Sequence, residues 1–232
     1  MEIAAARRYR GHTLVELVVV VLVVVLLLGL MLPIFGSRLK QKRQRIACVG
    51  NLKQIGLAYR SMALDQGGRY WTNSSPESSG APASGTAVPI EWRQFLPSTN
   101  HLLPAKWLWC PADTERNPAS RWDSIPTAPG AAGFNGARNL SYFIGLNASA
   151  ENPKSILAGD RNLTTNGVAV GPGFQVFPAG AIVGFSDKIH GSTGNILLGD
   201  GSVQQGVNGR LREMFGDSRS GSVGATQVWL FP

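Results

Sequence analysis

The sequence predicts an α+β fold, in which a long, kinked N-terminal helix carries an antiparallel β-rich globular head. The helix is indicated by an apolar run at 14–35 and, after it, by apolar residues that recur every three or four positions. The head is indicated by short apolar runs separated by Gly, Pro and Asn, such as 181–185, 195–198, 202–204 and 227–231. The first half of the helix is expected to span a membrane, because about 20 helical residues cross a ~30 Å hydrocarbon core.

The following segments are expected along the 232-residue chain. They are a cleaved leader (1–11), a transmembrane and assembly helix (12–35), a basic collar with an amphipathic stem helix (36–66), a flexible loop (67–89) and the β-rich head (90–232). The stem helix should pack its apolar stripe against the head, and glycines at 67 and 68 mark its end. The residues of this stripe are Val49, Leu52, Ile55, Tyr59 and Met62.

A kink or a locally melted turn is expected between Gly29 and Gly36. The ring of Pro33 clashes with the carbonyl four residues earlier and removes one helical hydrogen bond. That earlier residue is Gly29, which is itself a weak helix former. Such a break would let a long helix adjust when it is packed into a filament.

Glu16 is the only charged residue in the apolar run, and it stands five residues after Gly11, which closes a short Arg-rich leader. A carboxylate inside a membrane helix is costly and marks a functional site by default. It becomes tolerable when it is paired with an ammonium group. Two plainer interpretations remain open. A simple single-pass anchor leaves Glu16 unexplained, and a secretory signal has a shorter apolar core.

This order of basic leader, Gly11, short hydrophobic stretch, Glu16 and long apolar run resembles the processing signal of type IV prepilins and type II secretion pseudopilins. The resemblance implies that a prepilin peptidase cleaves between Gly11 and His12 and methylates the new amino terminus. It also implies that Glu16 neutralises that terminus on a neighbouring subunit. His12 stands where the family usually has Phe. Pro33 lies twenty-one residues beyond His12, where many of these proteins also carry a proline.

The positive charge is concentrated in the first 60 residues. The chain carries 22 Lys and Arg against 14 Asp and Glu, but positions 61–232 hold twelve of each. The excess lies in the leader and in the collar, which has no acid between Arg38 and Arg60. Nucleic-acid binders place basic residues on a folded face beside stacking aromatics, so no nucleic-acid partner is expected.

The expected location is the bacterial inner membrane, crossed once, with a cytoplasmic N-terminus and a periplasmic head that could also stand in an extracytoplasmic filament. The positive-inside rule alone would put the head in the cytoplasm, because the collar outweighs the leader. The prepilin-like signal outweighs this rule, since its peptidase works on the cytoplasmic side.

The chain has two cysteines, Cys48 in the stem and Cys110 in the head. In an oxidising compartment, a disulfide between them would clip the head to the stem and close a loop of about 60 residues, worth roughly 4 kcal/mol. Two free, buried thiols are the alternative. The disulfide is favoured, although sequence alone does not bring the two Cα atoms within bridging range.

The C-terminal half carries a second resemblance. His190, followed after nine residues by Asp200 and Gly201, resembles a motif of a large family of bacterial prepilin-like proteins. The segments that begin at Cys48 and Cys110 are similar to segments of the same proteins. The heads of that family imply no biochemical role.

A quasi-repeat relates 155–162 to 195–202, and each copy contains a Gly-Asp pair, at Asp160 and Asp200. If the two predicted strands are neighbours, Asp160, Asp200 and His190 converge and could bind a divalent cation. One imidazole with two carboxylates suits a transition metal better than calcium. The favoured alternative is that His190 donates to one of these carboxylates and fixes the turns, so that no cofactor is needed.

The sequence thus predicts a structural pilin-like subunit, not an enzyme, that is assembled into or primes a type II secretion pseudopilus or a type IV pilus. The expected partners are prepilin peptidase, other pilin or pseudopilin subunits, the inner-membrane assembly platform and the lipid bilayer. The alternative is a membrane-anchored extracytoplasmic module that binds a glycan or a surface partner and does not polymerise. The sequence contains no serine-hydrolase, zinc-protease or phosphate-loop motif.

Overall fold

The computed structural model describes residues 13–65, 67, 70, 105–120, 134, 136–178, 180–220 and 227–232, with the backbone alone for 30–38 and 219–220. The chain forms two compact units, an N-terminal unit (Met1–Lys42) and a β-rich unit (Arg43–Pro232). Helix α1 (Leu14–Asp65) contributes its first residues to the N-terminal unit and its later residues to the β-rich unit.

The first turn of α1 is capped by its own sequence. The Glu16 amide donates a hydrogen bond to Oγ1 of Thr13 at 3.3 Å, and the Leu17 amide donates to the Thr13 carbonyl at 3.2 Å. Thr13 is therefore the N-cap residue. Because Thr13 and Glu16 stand three positions apart, they have the spacing of a capping box.

The predicted break near Pro33 is wrong. The backbone is helical at every position from Leu14 to Asp65, including Gly29 and Pro33. A proline in a helix interior removes a single hydrogen bond. The turns on both sides keep theirs, and the helical backbone continues through this point.

The expected membrane span must also be corrected. Within the described ranges, no helix has both the length and the apolar character needed to cross a bilayer. The predicted fold class, with its long, kinked, membrane-spanning helix, is therefore wrong, as are the transmembrane, signal-anchored description and the single-pass inner-membrane location.

The β-rich unit contains two antiparallel sheets. A six-stranded sheet has the order β5-β9-β1-β2-β7-β8, and a three-stranded sheet has the order β4-β3-β6. Helix α2 (Asn208–Ser220) lies between β8 and β9 in the chain. Short 3₁₀ turns occupy Ala105–Leu108 and Gly136–Asn139. The strands are β1 (Tyr142–Gly145), β2 (Ile156–Asp160), β3 (Leu163–Thr165), β4 (Val168–Ala169), β5 (Gly173–Phe177), β6 (Val183–Phe185), β7 (Thr193–Leu198), β8 (Val203–Val207) and β9 (Gln227–Phe231).

The six-stranded sheet is covered on both faces. Alternate strand residues point to opposite faces, so that Tyr142 and Ile144 lie in one buried cluster and Phe143 lies in another. The first cluster includes the α1 residues from 43–65, which we call the packed segment, and the second includes residues of α2. The packed segment buries Cys48, Leu52, Ile55, Tyr59 and Met62 at 0–2% exposure.

One glycine sets how closely the packed segment approaches the sheet. A Cβ atom on Gly56 would lie 2.9 Å from Cδ1 of Leu197 on β7. This small residue lets the helix lie directly against the strand. The helix then ends at Asp65, and Gly67 adopts a positive φ of 67°, as is common just after a helix end.

Candidate functional site

A disulfide joins the packed segment to the loop that follows the first 3₁₀ turn. Cys48 and Cys110 are bonded, with their Cα atoms 5.1 Å apart and 62 positions apart in sequence. Both residues are fully buried. The structure thus has the pairing that the sequence favoured over two free thiols, and the bond closes a loop of the size expected to stabilise the fold by roughly 4 kcal/mol.

Asp160 is the buried acid of the site. It ends β2, and its Oδ2 accepts hydrogen bonds from the amide and from Nδ2 of Asn195 on β7, each at 2.8 Å. The residue is 0% exposed, and its Oδ1 has no hydrogen-bond partner among the described residues. Burial raises the pKa of Asp160 to about 7, although the two bonds from Asn195 act in the opposite direction.

His190 lies between this acid and the disulfide. Its Nε2 is 3.7 Å from Oδ2 of Asp160 and 3.4 Å from Sγ of Cys110. Only 2% of its side chain is exposed. Burial and then the positive charge of Arg45 lower the pKa of His190 to about 4, so the imidazole is neutral at pH 7.

Arg45 holds the turn that carries His190. Its guanidinium donates to the His190 carbonyl at 2.9 Å and to Oγ1 of Thr193 at 2.7 Å, and that hydroxyl donates to the same carbonyl at 2.7 Å. His190, Gly191 and Ser192 all have positive φ, at 58°, 58° and 51°. This conformation is unfavourable for residues with a side chain. The bonds from α1 and β7 therefore keep the imidazole directed toward Asp160 and Cys110.

Asp200 does not join the cluster. Strands β2 and β7 are indeed neighbours, but they are antiparallel, so Asp160 and Asp200 lie at opposite ends of this strand pair. Asp200 is exposed, its Oδ1 accepts from the Ser202 amide at 2.8 Å, and its carbonyl accepts from Arg60. Gly201 has φ of 84°, which a tight turn requires here. The predicted convergence therefore holds for Asp160 and His190 but is wrong for Asp200.

An ion-pair network supports the loop around Cys110. Arg161 binds both carboxylate oxygens of Asp113 at 2.7 Å and also binds Glu115 at 2.8 Å. Hydrogen bonds from Arg161 and then Lys188 hold the pKa of Glu115 below its usual range. Arg161 is thus paired with Asp113 and Glu115.

Sequence reasoning missed two members of the site. Arg45 was assigned only to a basic collar, and Asn195 only to a predicted strand. Arg45 stands three positions before Cys48, which places both on one side of a helix. That spacing was the available signal, whereas the pairing of Asn195 with Asp160 depends on strand register.

In the disulfide form, the carboxyl group of Asp160 can hold a proton, but neither cysteine is available as a thiolate. The sulfur atoms of Cys48 and Cys110 and a ring nitrogen of His190 all lie within 4.8 Å of one another. While the sulfurs are bonded to each other, they are not thiolates and are poor metal ligands. Of the three metal ligands suggested by the sequence, His190 and Asp160 lie in this cluster and Asp200 does not.

No protein family, curated protein or solved structure matches this chain. The predicted processing residues, Gly11 and His12, lie outside the described residues. Any function must therefore be inferred from the remaining residues and their chemistry.

Proposed function

We propose that this chain is a structural subunit that assembles with further copies of itself through the start of α1, in the manner of a subunit of a type IV pilus or a type II secretion pseudopilus. The supporting observation is an apolar surface that surrounds α1 over 14–28, which we call the apolar segment. It contains one charged residue, Glu16.

The apolar segment exposes its hydrophobic side chains on all sides. Each of its Leu and Val residues is 47–79% exposed, the extremes being Val24 and Leu14. At 3.6 residues per turn, consecutive apolar residues cover the whole circumference of a helix. A helix that is apolar all round is stable only when other nonpolar groups surround it.

The occupant that fits this surface is the same segment of neighbouring copies. It is apolar along its full length after Glu16, so parallel copies can pack without burying further charge. By resemblance, cleavage after Gly11 would place a new ammonium group one residue before the N-cap, Thr13. Positive charge is unfavourable at a helix N-terminus, and the Glu16 carboxylate of a neighbouring copy would offset it.

Glu16 has two separable roles under this proposal. Within its own chain, it stands at the position where a capping box uses Glu or Gln. Between chains, only a charged carboxylate can neutralise the ammonium group. Replacement by Gln therefore retains the capping geometry and removes the charge.

The described tryptophans do not support the alternative of a binding module that uses their rings. Trp229 is fully buried, and Trp107 and Trp109 are half-buried. The indole of Trp109 also donates to the carbonyl of Arg116 at 3.0 Å. These rings contribute to the core and its edge.

The test is expression of the full chain with a prepilin peptidase, followed by mass spectrometry of the N-terminus and sedimentation of assembled fibres. The mature chain should begin at His12. Glu16→Gln should reduce sedimented fibre at least about tenfold, the effect of ~1.4 kcal/mol per contact. Asp200→Asn, which removes an exposed charge elsewhere, should assemble like the wild type. A mature chain that begins at Met1, or full assembly of Glu16→Gln, would overturn the proposal.

A further inference from the structure

We propose that Cys48, Cys110, His190 and Asp160 form a Zn²⁺ site when the disulfide is reduced. The same four residues would then alternate between two states, one closed by a sulfur–sulfur bond and one closed by a metal ion.

Three of the four donor atoms, the two sulfurs and the ring nitrogen of His190, lie within 4.8 Å of one another, and the Asp160 carboxylate lies beside that nitrogen, so side-chain rotations would bring the four to the distances of a tetrahedral site. With Zn–S bonds of ~2.3 Å and Zn–N or Zn–O bonds of ~2.0 Å, neighbouring ligand atoms lie ~3.3–3.8 Å apart. Nε2 of His190 is 3.4 Å from Sγ of Cys110 and 3.7 Å from Oδ2 of Asp160. Once the S–S bond is broken, rotation about the Cα–Cβ bond of Cys48 separates the two sulfurs to a ligand distance.

The chemistry of the donor set matches zinc. Thiolate, imidazole and carboxylate are the groups that bind this ion in proteins. Two thiolates and the carboxylate would bring three negative charges, which the ion and the nearby guanidinium of Arg45 balance.

Asp160 provides an independent observation. Its Oδ1 is buried without a hydrogen-bond partner in the described part of the chain, which leaves a strong acceptor with nothing to bind. Its Oδ2 is held by Asn195 at 2.8 Å, an outer contact of the kind that orients metal-binding carboxylates. A cation bound by both carboxylate oxygens would satisfy the one that now has no partner.

The two states exclude each other because each sulfur either bonds to the other sulfur or binds the ion. A dithiol reductant gives two electrons and two protons to the Cys48–Cys110 bond, which breaks into two thiols while the reductant closes its own disulfide. Zn²⁺ then displaces both thiol protons, which pass to water. Exchange with an oxidising disulfide reverses these steps and releases the ion.

The experiment uses the full chain, with Co²⁺ as a coloured probe for the zinc position. The protein is reduced anaerobically with a phosphine, which takes its oxygen from water and leaves as the oxide without offering a thiol. Reduced wild type should bind one Co²⁺ per chain, with a thiolate-to-cobalt charge-transfer band and the intense visible bands of a tetrahedral ion. Added Zn²⁺ should abolish both signals. The disulfide form should give neither.

Variants identify the ligands. Cys48→Ser should lose the charge-transfer intensity of one thiolate, and Asp160→Asn should weaken Co²⁺ binding by at least about 10-fold to 100-fold. Asp200→Asn is the matched control and should bind like the wild type. Equal binding by Asp160→Asn and Asp200→Asn would remove Asp160 from the site.

The reduced wild type decides the question even if a variant does not fold. If reduction lowers the circular dichroism of the chain, Zn²⁺ should restore it. Absence of Co²⁺ uptake by the reduced chain, or equal uptake by the disulfide form, would overturn the proposal. Neither result bears on fibre assembly, which depends on the apolar segment.

Discussion

The apolar segment and the packed segment belong to one helix but differ in where their hydrophobic residues lie. In the apolar segment, Leu and Val side chains are 47–79% exposed all round the axis. In the packed segment, one stripe is fully buried against the sheet, and Leu57 on another side is 62% exposed. The hydrophobic side chains of the packed segment are thus buried by the rest of the chain, whereas those of the apolar segment are exposed in a single copy.

The largest loss of stability from a single substitution is expected in the packed segment, and a leucine in the apolar segment provides the comparison. Leu52→Ala removes a fully buried side chain and should lower the free energy of unfolding by about 2–5 kcal/mol. Leu22→Ala changes a side chain that is 61% exposed and should alter it by less than about 0.5 kcal/mol. Urea denaturation of unassembled protein measures both. Equal losses would show that the two segments do not differ in packing.

The disulfide should be the next strongest contribution to the packed segment. A Cys48→Ala and Cys110→Ala double variant should lose about 2–4 kcal/mol, because the unfolded chain gains freedom. Chemical denaturation under non-reducing conditions measures this loss. A reducing agent should destabilise the wild type in zinc-free buffer but leave the double variant unchanged. An unchanged denaturation midpoint in the double variant would argue against this role.

The buried acid and histidine should oppose each other in the pH dependence of stability. The raised pKa of Asp160 means that the native state binds more protons between pH about 4 and 7, so its contribution falls as pH rises. The lowered pKa of His190 means that the unfolded state binds more protons between pH about 4 and 6.5, so its contribution rises with pH.

These opposite slopes predict a clear difference between variants of the disulfide-bonded protein without metal. Asp160→Asn should make stability increase more steeply than in wild type from pH 4 to 6.5. His190→Gln should make it decrease from pH 4 to 7. Thermal unfolding across this pH range measures both slopes. Two parallel curves would show that neither group has a shifted pKa.

The smallest expected effect concerns the first turn of α1. Thr13→Ala removes the oxygen that accepts from the Glu16 amide and should destabilise that turn by about 0.5–2 kcal/mol. Hydrogen exchange should speed up for amides in the first turn only, while Thr13→Ser should retain most of the protection. Faster exchange throughout the β-rich unit would contradict a purely local cap.

The order of residues along the chain was enough to predict elements that are formed by consecutive residues, such as helices and strands. The periodic spacing from Val49 to Met62 identified the buried side of the helix, although Val49 itself is only half-buried, and Gly67 identified the end of the helix. The predicted runs at 195–198 and 227–231 fall within β7 and β9. Helical spacing thus indicated the buried side of the helix, and short apolar runs between turn residues located two strands that are buried on both faces.

The remaining features depended on what the chain brings together over long distances. The prediction that Asp200 lies beside Asp160 is wrong because a sequence repeat does not show that its two copies lie together. Antiparallel pairing of β2 and β7 puts the two aspartates at opposite ends of the strand pair. The contact between Cys110 and His190 requires a turn with three successive positive φ angles, which Ser192 and His190 do not suggest on their own. Near Pro33, the local rule for a single proline overestimated the disturbance to a long helix.

The bond between Cys48 and Cys110 also has a mechanical consequence. It attaches α1 covalently to the loop that contains Asp113. Arg161, the residue that directly follows β2, donates two hydrogen bonds to the Asp113 carboxylate. A pull along α1 is therefore passed to the middle of the sheet through a covalent bond and an ion pair in series. Under tension, the ion pair between Arg161 and Asp113 would therefore break before the disulfide does, and it sets the force that this connection can bear.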